Sequence, residues 1–337
     1  MADLTAPNPL LKVNNLTTEI RVRGGTIAAN RNVSIWVEAG KTLGIVGESG
    51  SGKSVLCRSI MRILPEPPAR TVNGEVSFLG RDLLRLSEHE MQRIRGVDIG
   101  MIFQDPMTSL NPVWSIGDQI TESLRVHKGI KGKQAREMGI HLLQQVGISS
   151  PQTRIDEHPH RMSGGMRQRV VIAMAMACQP KLLLADEPTT ALDVTIQDQI
   201  LALMIQLQET TGMAIVLVSH DMGVVAETTD RVAVMYAGQV IETASTTRIF
   251  SNPRHPYTVG LLNSIPRMEN KVDRLTPMRG QPPNLLKLPR GCSFSDRCPV
   301  ASPDCSETPL QPVRHMSESN ANAAGLGSLM DSPGERV

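Results

Sequence analysis

Aromatic residues are nearly missing from this chain, with only four Phe, two Trp and two Tyr among 337 residues. That scarcity argues against the ring platforms on which single-stranded nucleic acids stack, and it leaves the core to aliphatic side chains and 18 methionines. An excess of either charge is lacking too: 35 basic residues face 33 acidic ones, a formal +2, so no basic field draws nucleic acid nonspecifically. Long apolar runs are absent. The longest, Val170 to Cys178, holds nine residues between Arg169 and Gln179, against the ~20 needed to cross a bilayer. The first residues, Met1 to Pro7, have neither the basic flank nor the apolar stretch of a secretory signal, and a cytoplasmic location is expected. Five cysteines, an odd number in such a chain, argue against a disulfide framework and leave reduced thiols or metal ligands.

Proline is distributed unevenly, with 11 in residues 1–249 and 12 in the last 88, which places a domain boundary near residue 250. Before it, β-branched runs at Thr42–Val46, Gly100–Phe103, Lys181–Ala185, Ala214–Val218 and Arg231–Met235 alternate with helical stretches. This is the pattern of an α/β layer fold with a mostly parallel sheet. A helical insert over about 105–165 falls between two of these strands, and its stretch Ile116 to Val146 is interrupted near Gly129–Gly132. Residues 251–315 form a small Pro/Cys-rich extension. The rest, 316–337, is rich in Ser, Asn, Ala and Gly, has no aromatic residue, and reads as a disordered tail.

Gly47-Glu48-Ser49-Gly50-Ser51-Gly52-Lys53-Ser54 fits the phosphate-loop pattern of Gly, four residues, then Gly-Lys-Ser, and follows the apolar strand Thr42–Val46. Glycines there let backbone N–H groups turn inward around a phosphate, and the following helix, expected from about Lys53, adds its positive end. Lys53 would reach the β and γ oxygens, and the Ser54 hydroxyl would ligate Mg²⁺. A second acidic element must hold the metal. Leu182 to Glu187 supplies it as an apolar strand ending in two carboxylates, Asp186 for Mg²⁺ and Glu187 as general base for the attacking water.

Between and after these two elements stand further motifs in a fixed order. Met162-Ser163-Gly164-Gly165-Met166-Arg167-Gln168-Arg169 resembles the signature motif of ATP-binding cassette (ABC) ATPases; Gln104 matches their Q-loop, Ala191-Leu192-Asp193 their D-loop, and His220 their switch histidine. The resemblance covers roughly residues 10–265 and extends more loosely to about 315. It implies a P-loop NTPase cassette with a helical signature subdomain, using ATP and Mg²⁺. It further implies a head-to-tail pair in which Ser163, Gly164 and Gly165 contact the γ-phosphate of nucleotide bound to the partner cassette. His220 would then orient the γ-phosphate and water, Gln104 would ligate Mg²⁺ and sense closure, and Asp193 would couple the two sites.

One position departs from the family. ABC cassettes stack adenine on an aromatic residue about 25 positions before the phosphate loop, whereas residues 1–35 contain none and Ile20 stands in the corresponding place. Adenine is expected on Ile20, with an Arg21 or Arg23 guanidinium as a further contact, and discrimination of ATP from GTP is expected to be poorer.

Cys57 and Cys178 lie in apolar helical surroundings and read as small buried hydrophobes. Cys292, Cys298 and Cys305, together with Arg254-His255-Pro256-Tyr257-Thr258 and Gln281-Pro282-Pro283-Asn284-Leu285, resemble the C-terminal extension of oligopeptide, dipeptide and nickel importer ATPases. In relatives with four cysteines that region can hold a [4Fe–4S] cluster on four thiolates. Here either His315 or a carboxylate would be the fourth ligand, or the region is a structural loop.

The resemblance therefore implies the ATPase subunit of an importer for peptides or related small solutes, peripheral on the cytoplasmic face of the inner membrane. It would work with two integral permease subunits, a second cassette in what is expected to be a heterodimer, and, indirectly, an extracytoplasmic solute-binding protein. The alternative is a soluble ABC ATPase acting on nucleic acid or ribosomes. Such proteins carry two cassettes or a long coiled-coil insertion, neither of which fits here, and the near-neutral charge disfavours nucleic acid as a partner. A P-loop kinase or GTPase would leave Ser163-Gly164-Gly165 and His220 without a role.

Overall fold

The structure, a computed structural model, describes residues 8–190, 192–264, 278–307 and 313–314. Two sheets organise it. The first is antiparallel, with strand order β2-β1-β4-β5, built from β1 (Leu11–Val22), β2 (Gly25–Val37), β4 (Ala69–Phe78) and β5 (Arg81–Asp82). Gly24 and Gly25, at φ 101° and 149°, make the β1–β2 turn that residues with a Cβ enter only under strain. Leu11, Val13 and Leu16 of β1 and Val33, Ile35 and Val37 of β2 face the core. Register shifts between Val13 and Leu16 and between Leu16 and Thr18 interrupt the alternation that would mark these strands in the sequence.

The second sheet has the order β11-β10-β9-β3-β8-β7-β6. Its strands are β3 (Thr42–Val46), β6 (Ile99–Ile102), β7 (Leu182–Asp186), β8 (Ala214–Val218), β9 (Arg231–Tyr236), β10 (Gln239–Ser245) and β11 (Val313–Arg314). β3 pairs in parallel with β8 and β9, and the parallel run continues through β7 to β6; among the described residues only the β9–β10 pair of this sheet is antiparallel. Every residue of β3, β7 and β8 is buried, as strands covered on both faces require. The expected parallel strands lie within a residue of their places, and the expected helix start at Lys53 is the observed one, Lys53–Met61.

That helix lies between the two sheets. Leu56 and Ile60 on it join Leu11, Val13, Val33 and Ile35 from the first sheet and Leu43, Ile45, Val216 and Val218 from the second in one core. Each such side chain, fully buried, contributes roughly 1.5–3 kcal/mol. A second core joins the insert to the far end of the parallel sheet. The helix Ile116–Lys128, capped by Ser115 and ended by Gly129 at φ 67°, packs with the helix Gly132–Gln145 against the helix Gly164–Met176. A third core covers β9 and β10 with the helix Pro256–Asn263 and Phe294; Tyr236, Tyr257 and Phe294 meet there with ring centroids 4.6–5.4 Å apart.

Candidate active site

In open parallel sheets, ligands collect at the carboxyl ends of the strands. Four adjacent strands of this sheet deliver their following residues there: the phosphate loop after β3, Gln104 after β6, Glu187 after β7, and His220 after β8. The loop's shape is fixed by glycine at two close approaches. Gly47 has φ 149° and a Cβ there would lie 2.1 Å from the Met235 carbonyl oxygen; Gly52 has φ 100° and its Cβ would lie 2.3 Å from the Ala29 carbonyl oxygen. Ser49 and Gly50 stand exposed at the tip, while Ser51 is buried and its carbonyl accepts the Gly238 N–H at 2.9 Å.

Lys53 is 5% exposed and donates from Nζ to the carbonyls of Gly47 at 2.7 Å and Glu48 at 3.1 Å. Burial pushes its ammonium below the usual lysine value, against the opposing pull of Glu187, Asp186 and Glu48. Asp186 is completely buried. Its Oδ1 accepts the Ser54 hydroxyl at 2.8 Å, whereas Oδ2, equally shut off from solvent, has no hydrogen-bond partner. Burial raises this carboxyl above the ordinary aspartate range. An orphaned buried carboxylate oxygen beside a hydroxyl and a phosphate loop fits a hard divalent cation with oxygen ligands, so the residues present suit Mg²⁺.

Glu187 has φ 48°, in the left-handed region. Its Oε2 gathers three groups: Gln104 Nε2 at 3.0 Å, the Thr190 hydroxyl at 2.9 Å and His220 Nδ1 at 3.3 Å. Glu187, Thr190 and His220 border a cleft of 230 Å³ that Leu192, Ser219 and Asp221 also line. The structure thus brings together Lys53, Ser54, Asp186, Glu187, Gln104 and His220. Thr190 went unassigned in the sequence, where only its position three residues past Glu187 hinted at a partner.

Other expected residues stand apart. Ser163 is exposed and caps the helix Gly164–Met176 by accepting the Met166 N–H; Gly164 and Gly165 pack beside Leu192 and Ile196. Asp193 is exposed at the start of the helix Val194–Thr211 and makes no side-chain cap. Ala191 lies outside the described residues. Ile20 is half-buried on β1, paired with Ile27 on β2 and Ala69 on β4.

Of the two readings of the C-terminal cysteines, the iron–sulfur site finds no support. Cys292 and Cys298 pack at the edge of the third core, the Cys292 N–H donates to the Cys305 carbonyl at 2.7 Å, and the Cys305 thiol lies 3.4 Å from the Ser302 hydroxyl. Among the described residues no three His, Cys, Asp or Glu side chains gather so as to hold a metal ion; His315 lies outside them. Cys57 and Cys178 are buried as expected.

A phosphate loop and an acidic strand end on this sheet define a P-loop NTPase, and Ser163-Gly164-Gly165 at a helix start with His220 after β8 narrow it to the ABC type. Comparison with known proteins gives the same class: the family model described as "ABC transporter" matches residues 30–190, and "Oligopeptide/dipeptide transporter, C-terminal region" matches 241–305. The oligopeptide transport ATP-binding protein OppD of Bacillus subtilis (strain 168) is 53% identical over 293 residues, covering 87% of this chain and 82% of that one. The dipeptide transport ATP-binding protein DppD of the same strain is 50% identical, covering 90% and 91%. Among solved structures, the ATP-binding cassette MJ0796 in a dimeric post-hydrolysis state with ADP and Pi is 28% identical with a TM-score of 0.63, over 70% of this chain and 98% of that one. The chain belongs to the ATP-binding subunits of oligopeptide and dipeptide ABC transporters.

Proposed function

We propose that this chain binds and hydrolyses ATP to power import of di- or oligopeptides, or related small solutes. The observation that carries the chemistry is the convergence of Gln104, Thr190 and His220 on one oxygen of Glu187, beside a buried Lys53 and an orphaned Asp186 oxygen. The relatives' names carry the cargo class.

In this reading the N–H groups of residues 47–54 and the Lys53 ammonium bind the β- and γ-phosphates. Ser54, Asp186 and Gln104 would hold Mg²⁺, which when bound neutralises charge on the phosphate oxygens. Glu187 accepts the proton of the attacking water, and His220 orients that water and the γ-phosphate. Ile20 supports adenine. Ser163, Gly164 and Gly165 face nucleotide on a second cassette, and Asp193 links the two sites. The cassette spans 1–250 with its insert at about 105–165, and the extension spans 251–315.

Among the described residues no helix is long and apolar enough to cross a membrane. In this reading, which rests on the relatives, the chain works from the cytoplasmic face, docked on two integral permease subunits beside a second, related cassette, with a solute-binding protein acting indirectly. Nothing in the relatives supports the nucleic-acid or ribosome alternative. The test is affinity purification of tagged Glu187→Gln chain from detergent-solubilised membranes in Mg-ATP. Recovery of two multi-span proteins and a related cassette is expected; recovery of the chain alone, or with ribosomes or DNA, rejects the reading.

A further inference from the structure

The chain beyond the cassette reaches the phosphate loop. Arg297, with a side chain 5% exposed, donates from Nη1 and Nη2 to the two carboxylate oxygens of Glu48 at 2.7 and 2.8 Å. Its guanidinium is itself fixed. Nε donates to the Arg279 carbonyl at 2.9 Å, Nη1 reaches the Tyr236 hydroxyl at 3.3 Å, and the group lies 5.7 and 5.9 Å from the ring centroids of Tyr236 and Phe294. From the helix Pro256–Asn263, the Tyr257 hydroxyl accepts the Glu48 N–H at 2.9 Å, while the Glu48 carbonyl accepts from Lys53 Nζ. Every polar group of Glu48 is therefore held: N–H by Tyr257, carbonyl by Lys53, carboxylate by Arg297.

Glu48 is the one acidic residue in the loop. Unpaired, its charge would oppose a polyphosphate a few residues away, and a forked, sheltered guanidinium is the group best suited to cancel it. The loop also holds Gly47, Gly50 and Gly52, whose backbone freedom is lost when it wraps a phosphate; contacts that order it beforehand reduce that loss. Arg31 adds a further tie, donating from Nη2 to both Gln239 Oε1 at 2.9 Å and Ser293 Oγ at 2.8 Å.

We propose that Arg297 and Tyr257 are positioning residues for ATP: acting through Glu48, they neutralise and pre-shape the phosphate loop, so that the C-terminal extension sets the cassette's nucleotide affinity. The proposal rests on residues 47–54 being the phosphate site.

The test measures TNP-ATP affinity on the purified full chain and KM and kcat for ATP in the membrane complex, with thermal unfolding recorded for each variant. Arg297→Met is expected to raise Kd and KM about tenfold, within the range of coupling between linked sites. kcat should stay within about twofold, because Arg297 does not touch the reacting atoms. Arg297→Lys keeps the charge without the fork, and Tyr257→Phe keeps the ring without the hydroxyl; both should weaken binding by about threefold, the loss of a single hydrogen bond. If Arg297 acts through Glu48, its replacement should matter far less in a Glu48→Gln background, a non-additivity that general loosening of the fold would not produce. Folded Arg297→Lys and Tyr257→Phe proteins with wild-type Kd and KM overturn the proposal, as does an Arg297→Met effect that is undiminished by Glu48→Gln. Lys53→Ala distinguishes the underlying reading: if it binds nucleotide normally, the phosphate site itself is misassigned, whereas lost binding there with unaffected Arg297 and Tyr257 variants removes the positioning role alone.

Discussion

Gln104 donates from Nε2 to Glu187 Oε2 across 3.0 Å, joining the ends of two neighbouring strands, β6 and β7, at the oxygen that would meet a water. Glu187→Gln should lower ATP turnover by about 10²–10⁴-fold, the usual worth of a positioned base. ATP affinity should remain, since Lys53, Ser54 and Asp186 are untouched, and the closed pair of cassettes should accumulate in size-exclusion runs with Mg-ATP. Wild-type turnover would remove Glu187 from the base role.

Asp186→Asn should abolish the thermal shift that Mg²⁺ adds to ATP and cut turnover by at least about 10²-fold, the scale of losing one electrostatic stabiliser. Without nucleotide or metal, the melting temperature should hold within about 2 °C, because the carboxyl already sits in surroundings that favour its neutral form. An unchanged Mg²⁺ response in the variant would assign the metal elsewhere.

Ile20→Tyr tests the adenine support. A ring stacked on the base is worth about 1–3 kcal/mol, so ATP affinity should rise by about tenfold, with a wider gap between ATP and GTP. Unchanged affinity in competition titrations would mean that adenine does not rest there.

His255 makes a pH prediction. It is 6% exposed, its Nδ1 accepts the Tyr257 N–H at 3.1 Å, and its backbone N–H donates to buried Glu242 at 3.0 Å. Burial lowers its pKa, with Glu242 opposing. The unfolded chain then takes up a proton near the ordinary value of about 6.5 before the folded chain does, so stability should fall as pH drops below about 6.5. His255→Asn retains a side-chain cap without a titrating ring and should lose less melting temperature between pH 7.5 and 5.5. Equal slopes in calorimetry would place the pH sensitivity at another group.

Much of the candidate site's arrangement is legible in the sequence because its signals are local. A strand, a glycine turn and a helix start lie within fourteen consecutive residues from Thr42 to Val55, and Asp186, Gln104 and His220 each end or follow an apolar run. The antiparallel sheet was not legible: β1 and β2 mix buried and exposed positions, and β1 changes register at Leu16, so neither shows a clean period of two. The Arg297–Glu48 pair spans 249 residues, and no local pattern near either residue names the other. The cysteines flanking Arg297 point in the sequence to metal chemistry, whereas in the structure Cys292 and Cys298 pack against the third core.

Glu187 adopts φ 48°, a conformation that costs an L-residue about 1–2 kcal/mol and glycine almost nothing. Heat resistance therefore favours glycine at this position, whereas turnover, with Glu187 as the proposed base, favours glutamate. A library randomised at 187 and sorted on heat resistance should drift to glycine or asparagine, and the same library sorted on growth that depends on uptake should return glutamate.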